Sequence, residues 1–469
     1  MKKSVRKNMK MLAVICLLQP AIASPVWAQT TVKEAVEKAI NTNPEIMARF
    51  HAFRDVYEEQ GVSKGGYFPK LDASAGIGKQ WLSGDNIART DYMRKGVRLE
   101  LSQMIFDGFL TSSDVRRLKY SGRARYFEFL DTIENIGLES VRSYADVLRY
   151  REMVRLAKQN LDYHNEIYDL VASRVKAGVG TGVDLEQISA RVALAQSNYI
   201  TEQSNLHDVC VRYQRLTGVL PDKSLDPVVI PAEGIPANIT DVLNEAYQHS
   251  PGFLATVDDI SSFRYAVNVK KASFIPRLDL KAYHDWSYDA DGIQGKRNDT
   301  AVELRLTWNI LNGGSDAAAV SQYRERMYRA IDVRNKTAVD LRQILSTAVN
   351  DNRMLSQQVA FLEKHRSVLD HVRVSYRDQF SIAKRSLLDL LDTENEYYQA
   401  QRAYFNGYYD LAIAKARILA GMGKLTHALG VTRGEMPDIR NLNIPGPEVV
   451  DKEIPADRMF SNLVPEGQY

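Results

Sequence analysis

The chain repeats itself, and this duplication restricts its fold more than any single motif does. Pro44, Pro69, Leu71 and Asp72 recur as Pro251, Pro276, Leu278 and Asp279, each 207 positions further on. The offset then falls to 205 and holds, so that Leu99, Leu101, Gly108, Asp184, Leu185, Ala195, Tyr199 and Gly218 meet Leu304, Leu306, Gly313, Asp389, Leu390, Ala400, Tyr404 and Gly423. Two copies of one supersecondary plan, roughly 180 residues each, therefore follow one another in register. The first copy carries a connection two residues longer, somewhere around residues 82 to 91.

On either side of that connection, apolar and polar residues alternate. Val302, Leu304, Leu306, Trp308 and Ile310 interleave with Glu303, Arg305, Thr307 and Asn309, and Val97, Leu99, Leu101, Gln103 and Ile105 with Arg98, Glu100, Ser102 and Met104. Leu278, Leu280, Ala282, His284 and Trp286 alternate in the same way, and Leu71, Ala73, Ala75 and Ile77 more weakly. A period of two sends one set of side chains to each face of a strand. Each copy thus supplies one hairpin, with strands of about ten residues. Such a sheet fits a soluble domain or a membrane barrel; Trp81, Tyr92, Trp286 and Tyr288 near the strand ends favour the barrel.

The remainder reads as helix of unusual length. No proline occurs between Thr111 and Ala177, and Tyr126, Phe129, Ile133, Ile136, Tyr144 and Leu148 keep steps of three and four; Leu355, Val359, Leu362, Leu369, Val372 and Tyr376 do so in the second copy. Ile188, Val192, Ala195, Tyr199, Leu206, Val209, Tyr213 and Leu216 form a further seam in which only position 202 is polar, repeated by Leu390, Tyr397, Ala400, Tyr404, Leu411, Ala414 and Ile418. A helix of about 65 to 70 residues is roughly 100 Å long, too long for a compact domain. Residues 31 to 67 and 183 to 217 are each about half that length, so two of them stacked end to end match one long helix. Four strands leave edges that lipid does not tolerate, and the smallest closed membrane barrels have about eight. Several subunits must complete the cylinder.

The N-terminus fits an exported protein. Lys2, Lys3, Arg6, Lys7 and Lys10 precede the apolar run from Met11 to Leu18, and small residues lead to Ala28, the expected cleavage site. Cys16 follows the bulky Ile15, which argues against lipidation. Loss of residues 1–28 removes five positive charges and takes the balance from +3 to −2. No nucleic-acid partner is indicated. Cys210 is then the only cysteine, so no intrachain disulfide can form.

Gly-Tyr-Phe-Pro-Lys-Leu-Asp at 66 to 72 and Gln-Met-Ile-Phe-Asp-Gly at 103 to 108 are echoed by Ser-Phe-Ile-Pro-Arg-Leu-Asp at 273 to 279 and Trp-Asn-Ile-Leu-Asn-Gly-Gly at 308 to 314. In this order, with the helices between them, they resemble the TolC family of outer-membrane efflux and secretion proteins over residues 30 to 425. The resemblance implies a membrane α+β fold of two repeats: four β-strands per chain joining a trimeric twelve-stranded barrel, and long antiparallel coiled-coil helices forming a periplasmic tunnel. It implies an outer-membrane location, an exit duct for proteins or small molecules, and partnership with a periplasmic adaptor and an ABC or RND-type inner-membrane transporter. The expected divisions are a signal peptide (1–28), first-repeat helices (29–69), hairpin 1 (70–107), tunnel helices (108–217), an equatorial linker (218–238), second-repeat helices (239–276), hairpin 2 (277–312), tunnel helices (313–423) and an equatorial or disordered tail (424–469).

Carried onto this sequence, the family's periplasmic gate falls on Asp389 and Asp392, an acidic constriction, and on Arg385, which would pair with Asp184 of a neighbouring subunit. Phe380 stands where a tyrosine of the gate network is expected and cannot donate its hydrogen bond. Val179, Gly180, Thr181, Gly182, Val183, Lys384, Ser386, Leu387 and Leu388 would face the adaptor. Without the resemblance, the same aspartates read as helix-capping carboxylates. Gly178 to Gly182 lacks the Lys-Ser/Thr ending of a phosphate loop.

Chemistry elsewhere is sparse. His365 and His371 have the wrong spacing for a shared metal, and no Gly-x-Ser-x-Gly, His-Glu-x-x-His or paired-cysteine motif occurs. Neither an enzyme nor a cofactor is expected. Five prolines among acids in residues 431–469 point to an extended tail. The competing reading is a periplasmic coiled-coil adaptor or structural protein without a barrel.

Overall fold

Each repeat runs helix, helix, strand, strand, long helix, half-length helix. In order these are α1 (Val32–Thr42), α2 (Pro44–Lys64), β1 (Lys70–Gly84), β2 (Ile87–Phe106), α3 (Leu110–Lys176) and α4 (Gly182–Thr217). The second set is α5 (Ile239–His249), α6 (Pro251–Lys271), β3 (Arg277–Ala290), β4 (Ile293–Thr307), α7 (Ser315–Ser381) and α8 (Leu387–Gly421), followed by the short α9 (Leu425–Ala428). The computed structural model describes residues 30–431 apart from 86, 291, 292 and 383. The expected signal peptide and nearly all of the proline-rich tail lie outside the described residues.

Local chemistry fixes the junctions. Thr31 and Glu34 form a capping box at the start of α1. Asn43 ends that helix and caps α2, whose first residue, Pro44, occupies the position that needs no N–H. After β2, the Asp107 carboxylate accepts the Thr111 N–H at 2.8 Å and so caps α3. Gly108 makes the turn at φ +66°, and a Cβ there would stand 2.8 Å from Cβ of Ile275. The Asp-Gly pair of the motif is thus a strand-to-helix corner that no other residue could turn so closely.

The α3 and α7 helices have 67 residues each, about 100 Å of helix. The α1–α2 column lies along the first part of α3, where Phe53 meets Tyr126 edge to face at 5.4 Å. The α4 helix takes over along the rest, with Ile188 packed against Tyr163 and Ile167. The α5, α6 and α8 helices stack in the same way along α7, through Lys270 over Tyr323 and Arg417 paired with Asp351 at 3.0 Å. The two hairpins are joined by a third seam. There Tyr120 stacks on Tyr265 at 5.5 Å, Arg123 is buried against Asp258, and Arg149 reaches Asp410 at 2.6 Å. End-to-end stacking of half-length helices is therefore the arrangement adopted.

The main core lies at the equator, where α1, α5, α9 and the 218–238 linker cover the helices. Tyr144 is fully buried there, its hydroxyl 2.7 Å from the carbonyl oxygens of both Thr30 and Asp226. The buried Glu134 carboxylate accepts the Leu425 N–H at 2.9 Å and holds α9 in place. The edge helix α7 stays largely open along its length, exposing Tyr328, Val333, Ile344, Phe361 and Val368.

The sheet is antiparallel in the order β1-β2-β3-β4, so among the described residues β1 and β4 are its unpaired edges. One face carries Leu71, Ile77, Val97, Leu101, Leu280, Trp286, Val302, Leu304 and Leu306, all exposed. The other is polar: Glu100 pairs with Arg98 at 3.4 Å and with Lys281 at 3.3 Å, and the Arg98 guanidinium lies 4.1 Å from the Tyr283 ring centroid. Trp81, Trp286 and Tyr288 sit toward one end of the apolar face and Trp308 beyond the other, as girdles should. Tyr92, expected among them, pairs with Gln80 and so falls on the polar face. The strands run 14 to 20 residues, longer than the ten or so expected, because the ladder continues through polar pairs such as Lys79 and Asp91 past the apolar band. No helix among the described residues is long and apolar enough to cross a membrane.

Candidate functional site

At the end remote from the sheet, each long helix turns into its half-length partner through a short tip. Gly178 turns the first tip at φ +74°, and Thr181 caps α4 by accepting the Asp184 N–H at 3.1 Å. Ser386 caps α8 in the same way, its hydroxyl accepting the Asp389 N–H at 3.1 Å. The tips then diverge. The Asp389 carboxylate closes a capping box, accepting from the Ser386 hydroxyl at 2.9 Å and the Ser386 N–H at 3.3 Å. No partner for the Asp184 carboxylate is found among the described residues.

Behind the tips the two hairpins share an apolar plug of Tyr163, Ile167 and Val171 from α3, Ile188 from α4, Phe380 from α7, and Leu387, Leu390 and Leu391 from α8. Phe380 is 6% exposed, with the Arg174 guanidinium 4.8 Å from its ring centroid. The ring fills the plug where a phenol would have had a hydrogen bond to satisfy. Leu387, expected on the adaptor-facing surface, is also 6% exposed: as the first residue of α8 it turns inward. Val179 and Val183 are each 77% exposed and Leu388 50%, while Thr181, Gly182, Lys384 and Ser386 lie on the surface. Gly180 tucks against Val175, where a Cβ would approach to 3.0 Å.

Arg385 stays with its own chain here. It donates to the Gln379 side-chain oxygen at 3.1 Å, lies 4.3 Å from the Tyr376 ring centroid and is 3.9 Å from Asp389. Asp392 is met by Arg191 of α4 at 3.2 Å. Arg377 of α7 bonds Glu166 of α3. These bonds between hairpins involve Arg191, Arg377 and Glu166, none of which stood out in the sequence, because a charge on a helix face has no signature of its own.

Two buried titratable groups lie just above the plug. Glu394 of α8 is 5% exposed and 3.7 Å from Arg373. Burial pushes its carboxyl up to about 7, against the pull of Arg373 and Arg377. His164 of α3 is 4% exposed and pushed down to about 4 by burial and by Arg191. Glu394 was detectable: it lies three residues after Leu391 and four before Tyr398, a seam position where an apolar residue is the rule. Further up the same helices, Glu202, the polar break in the α4 seam, is 3% exposed and paired with Arg402 of α8 at 2.8 Å. Among the described residues no group of histidine, cysteine and carboxylate side chains could hold a metal ion.

A sheet that is apolar outside and polar inside, set on staves about 100 Å long that end in acidic tips, defines an outer-membrane channel with a periplasmic tunnel. A family model described as Outer membrane efflux protein matches residues 35–219 and 242–424, and the chain belongs to that family. The outer membrane efflux protein BepC of Brucella suis biovar 1 is 24% identical over 416 residues, 88% of this chain and 90% of its own. The alkaline protease secretion protein AprF of Pseudomonas aeruginosa is 24% identical over 409 residues, 83% of this chain and 84% of its own. The Campylobacter jejuni CmeC outer membrane channel superimposes with a TM-score of 0.78 at 16% identity, covering 88% of both chains. The chain is thus an outer-membrane export channel with the TolC-like fold, whose relatives are channels and not enzymes.

Proposed function

We propose that three copies of the chain close into a passive duct, and that the tips form its gate and its docking site. One observation carries this: the barrel layer and the stave layer are both left open at the edges of the same chain. The edge strands β1 and β4 have no partner among the described residues, and α7 exposes a row of large apolar side chains along its length. Lipid cannot satisfy strand edges, and water does not favour such a seam. Closure by identical copies removes both costs.

In such a trimer Asp389 and Asp392 put six carboxylates around the periplasmic entrance, which attract cations and disfavour anions. Asp184, whose carboxylate has no partner among the described residues, is the acceptor for Arg385 of a neighbouring copy. That contact would draw Arg385 away from Asp389, which its own chain holds only at 3.9 Å. Val179, Gly180, Thr181, Gly182, Val183, Lys384, Ser386 and Leu388 form the rim against which a periplasmic adaptor docks, with Leu387 supporting it from inside. An inner-membrane transporter of the ABC or RND type supplies the energy, and the duct catalyses nothing. Similarity to AprF supports a type I secretion cargo. Mass spectrometry of the detergent-extracted complex should give three chains, and a folded monomer would refute the assembly. Deletion of the gene should deplete the secretome; an unchanged secretome with raised drug sensitivity would assign the duct to efflux.

A further inference from the structure

A cleft of about 690 Å³ opens between α3, α6 and α7, on the sheet side of the equator. Its place in the wall follows from helix geometry. Gly137 of α3 faces Val36, Leu425 and Thr426, so that side of the helix is covered by the equatorial layer. Arg117, Ser121 and Arg125, which line the cleft, precede Gly137 by 20, 16 and 12 residues. At 3.6 residues per turn Arg117 and Ser121 lie about half a turn and Arg125 about a third of a turn out of phase with Gly137, on the side turned away from that layer. In the proposed assembly, with the equatorial layer outside, that face looks into the duct.

The charges in the cleft are unbalanced in an unusual way. Lys270 of α6 and Arg326 of α7 converge on one ring, 5.0 Å and 4.5 Å from the Tyr323 centroid, and Arg329 lines the cleft almost one turn further along α7. Arg117 and Arg125 are held by Asp114 and Glu128. Among the described residues no carboxylate holds Lys270, Arg326 or Arg329. The one carboxylate deeper in the cleft, Asp259, is pushed up to about 6 by burial, although Arg125 draws it down. Cations gathered on one ring with no carboxylate paired to them repel each other, and a bound anion relieves the repulsion. Ala266 and Ala330, both buried, back the cleft with apolar surface and strengthen the attraction.

We infer that this cleft is an anion site in the wall of the duct, holding a carboxylate or phosphate group of a passing solute among Lys270, Arg326 and Arg329. The inference rests on the duct reading. It places a cation-rich station above the acidic tips, so an anionic solute that has passed the tips is held and not repelled.

The test uses the full-length channel in planar bilayers, with citrate or inorganic tripolyphosphate added on the barrel side. Either probe should block the current reversibly, and the stronger of the two identifies the preferred group. The triple variant Lys270→Gln, Arg326→Gln, Arg329→Gln should conduct in plain chloride yet need about tenfold more probe for the same block, since charge-assisted hydrogen bonds are lost. Arg329→Glu alone should act in the same direction and guards against misfolding of the triple variant. Asp259→Asn should tighten block at pH 7.5 and match the wild type near pH 5. Arg98→Gln and Arg297→Gln, on the inner face of the barrel, should leave block unchanged. Equal block in the wild type and the triple variant, or loss of block in the barrel variants, would overturn the site and leave the duct standing. A wild-type chain that never conducts would refute the duct and the site together.

Discussion

The buried pair Glu394 and His164 makes a prediction about how the tips respond to acid. The Glu394 carboxyl stands at about 7 in the packed tip against 4.5 for an ordinary glutamate, so its ionised form is penalised there. At about 1.36 kcal/mol per unit, the penalty reaches about 3 kcal/mol above pH 7 and vanishes below about 4.5. His164 works in the opposite sense. Its imidazolium is penalised, because the group titrates near 4 instead of 6.5, and that penalty grows as the pH falls from 6.5 to 4. The groups facing Glu394 are Arg373, Arg377 and Asp370 of α7 and Tyr163 of α3; Arg191 of α4 faces His164. Between roughly pH 4.5 and 6.5 the two slopes cancel, so local opening of the wild-type tip should be nearly independent of pH. Glu394→Gln removes one slope, and its tip should loosen on acidification. His164→Asn removes the other, and its tip should loosen as the pH rises. Hydrogen exchange of amides 160–200 and 370–400, corrected for intrinsic rates, reads this directly, with opposite shifts of about 3 kcal/mol in opening free energy across the window. Single variants that both stay flat would refute the assignment of the buried charges.

Further expectations concern other parts of the chain. Replacing Asp389 and Asp392 by Ala should abolish block by multivalent cations added from the tip side of a bilayer; persistent block would place the acidic ring elsewhere. Arg402→Met strands the buried Glu202 and should cost about 3 to 5 kcal/mol, whereas adding Glu202→Met should return thermal stability close to the wild type. If the double variant is no better than the single one, the pair is not the unit described. Leu387→Asp should disorder the tip by driving a charge into the plug, and Leu388→Asp should leave the fold intact while reducing cross-linking to the adaptor. Gly108→Ala places a Cβ 2.8 Å from Ile275 at a positive φ, so it should lower the amount of channel in the outer membrane without changing the transcript.

The fold was legible because its rules are periodic. Repetition revealed the two halves, alternation the strands, and the absence of proline the long helices, down to the stacking of half-length columns. Strand length was less legible: beyond the apolar band both faces of a hairpin are polar, and the alternation that marks a strand fades. The aspartates of the tips could be located, and the capping bond of Asp389 follows from its place at a helix start, but the bonds of Arg385 to Gln379 and Tyr376 could not be read, since they depend on how the tip folds back on α7. Position 202 gave warning as a polar gap in a seam, and Glu394 gave the same warning less clearly. Arg191 and Glu166 gave none, because charged residues on long solvated helices are common and their partners lie in another hairpin.

The divergence of the two tips has a consequence for how such a pore can evolve. Were a wall assembled from separate identical hairpins, a change at one turn would appear at every turn, and every aspartate would be either tied down or free. Fusion of two hairpins in one polypeptide lifts that restriction. One turn can keep its carboxylate locked into its own helix start while the other leaves the equivalent group unengaged among the described residues, so the two turns can specialise separately within a single gene product.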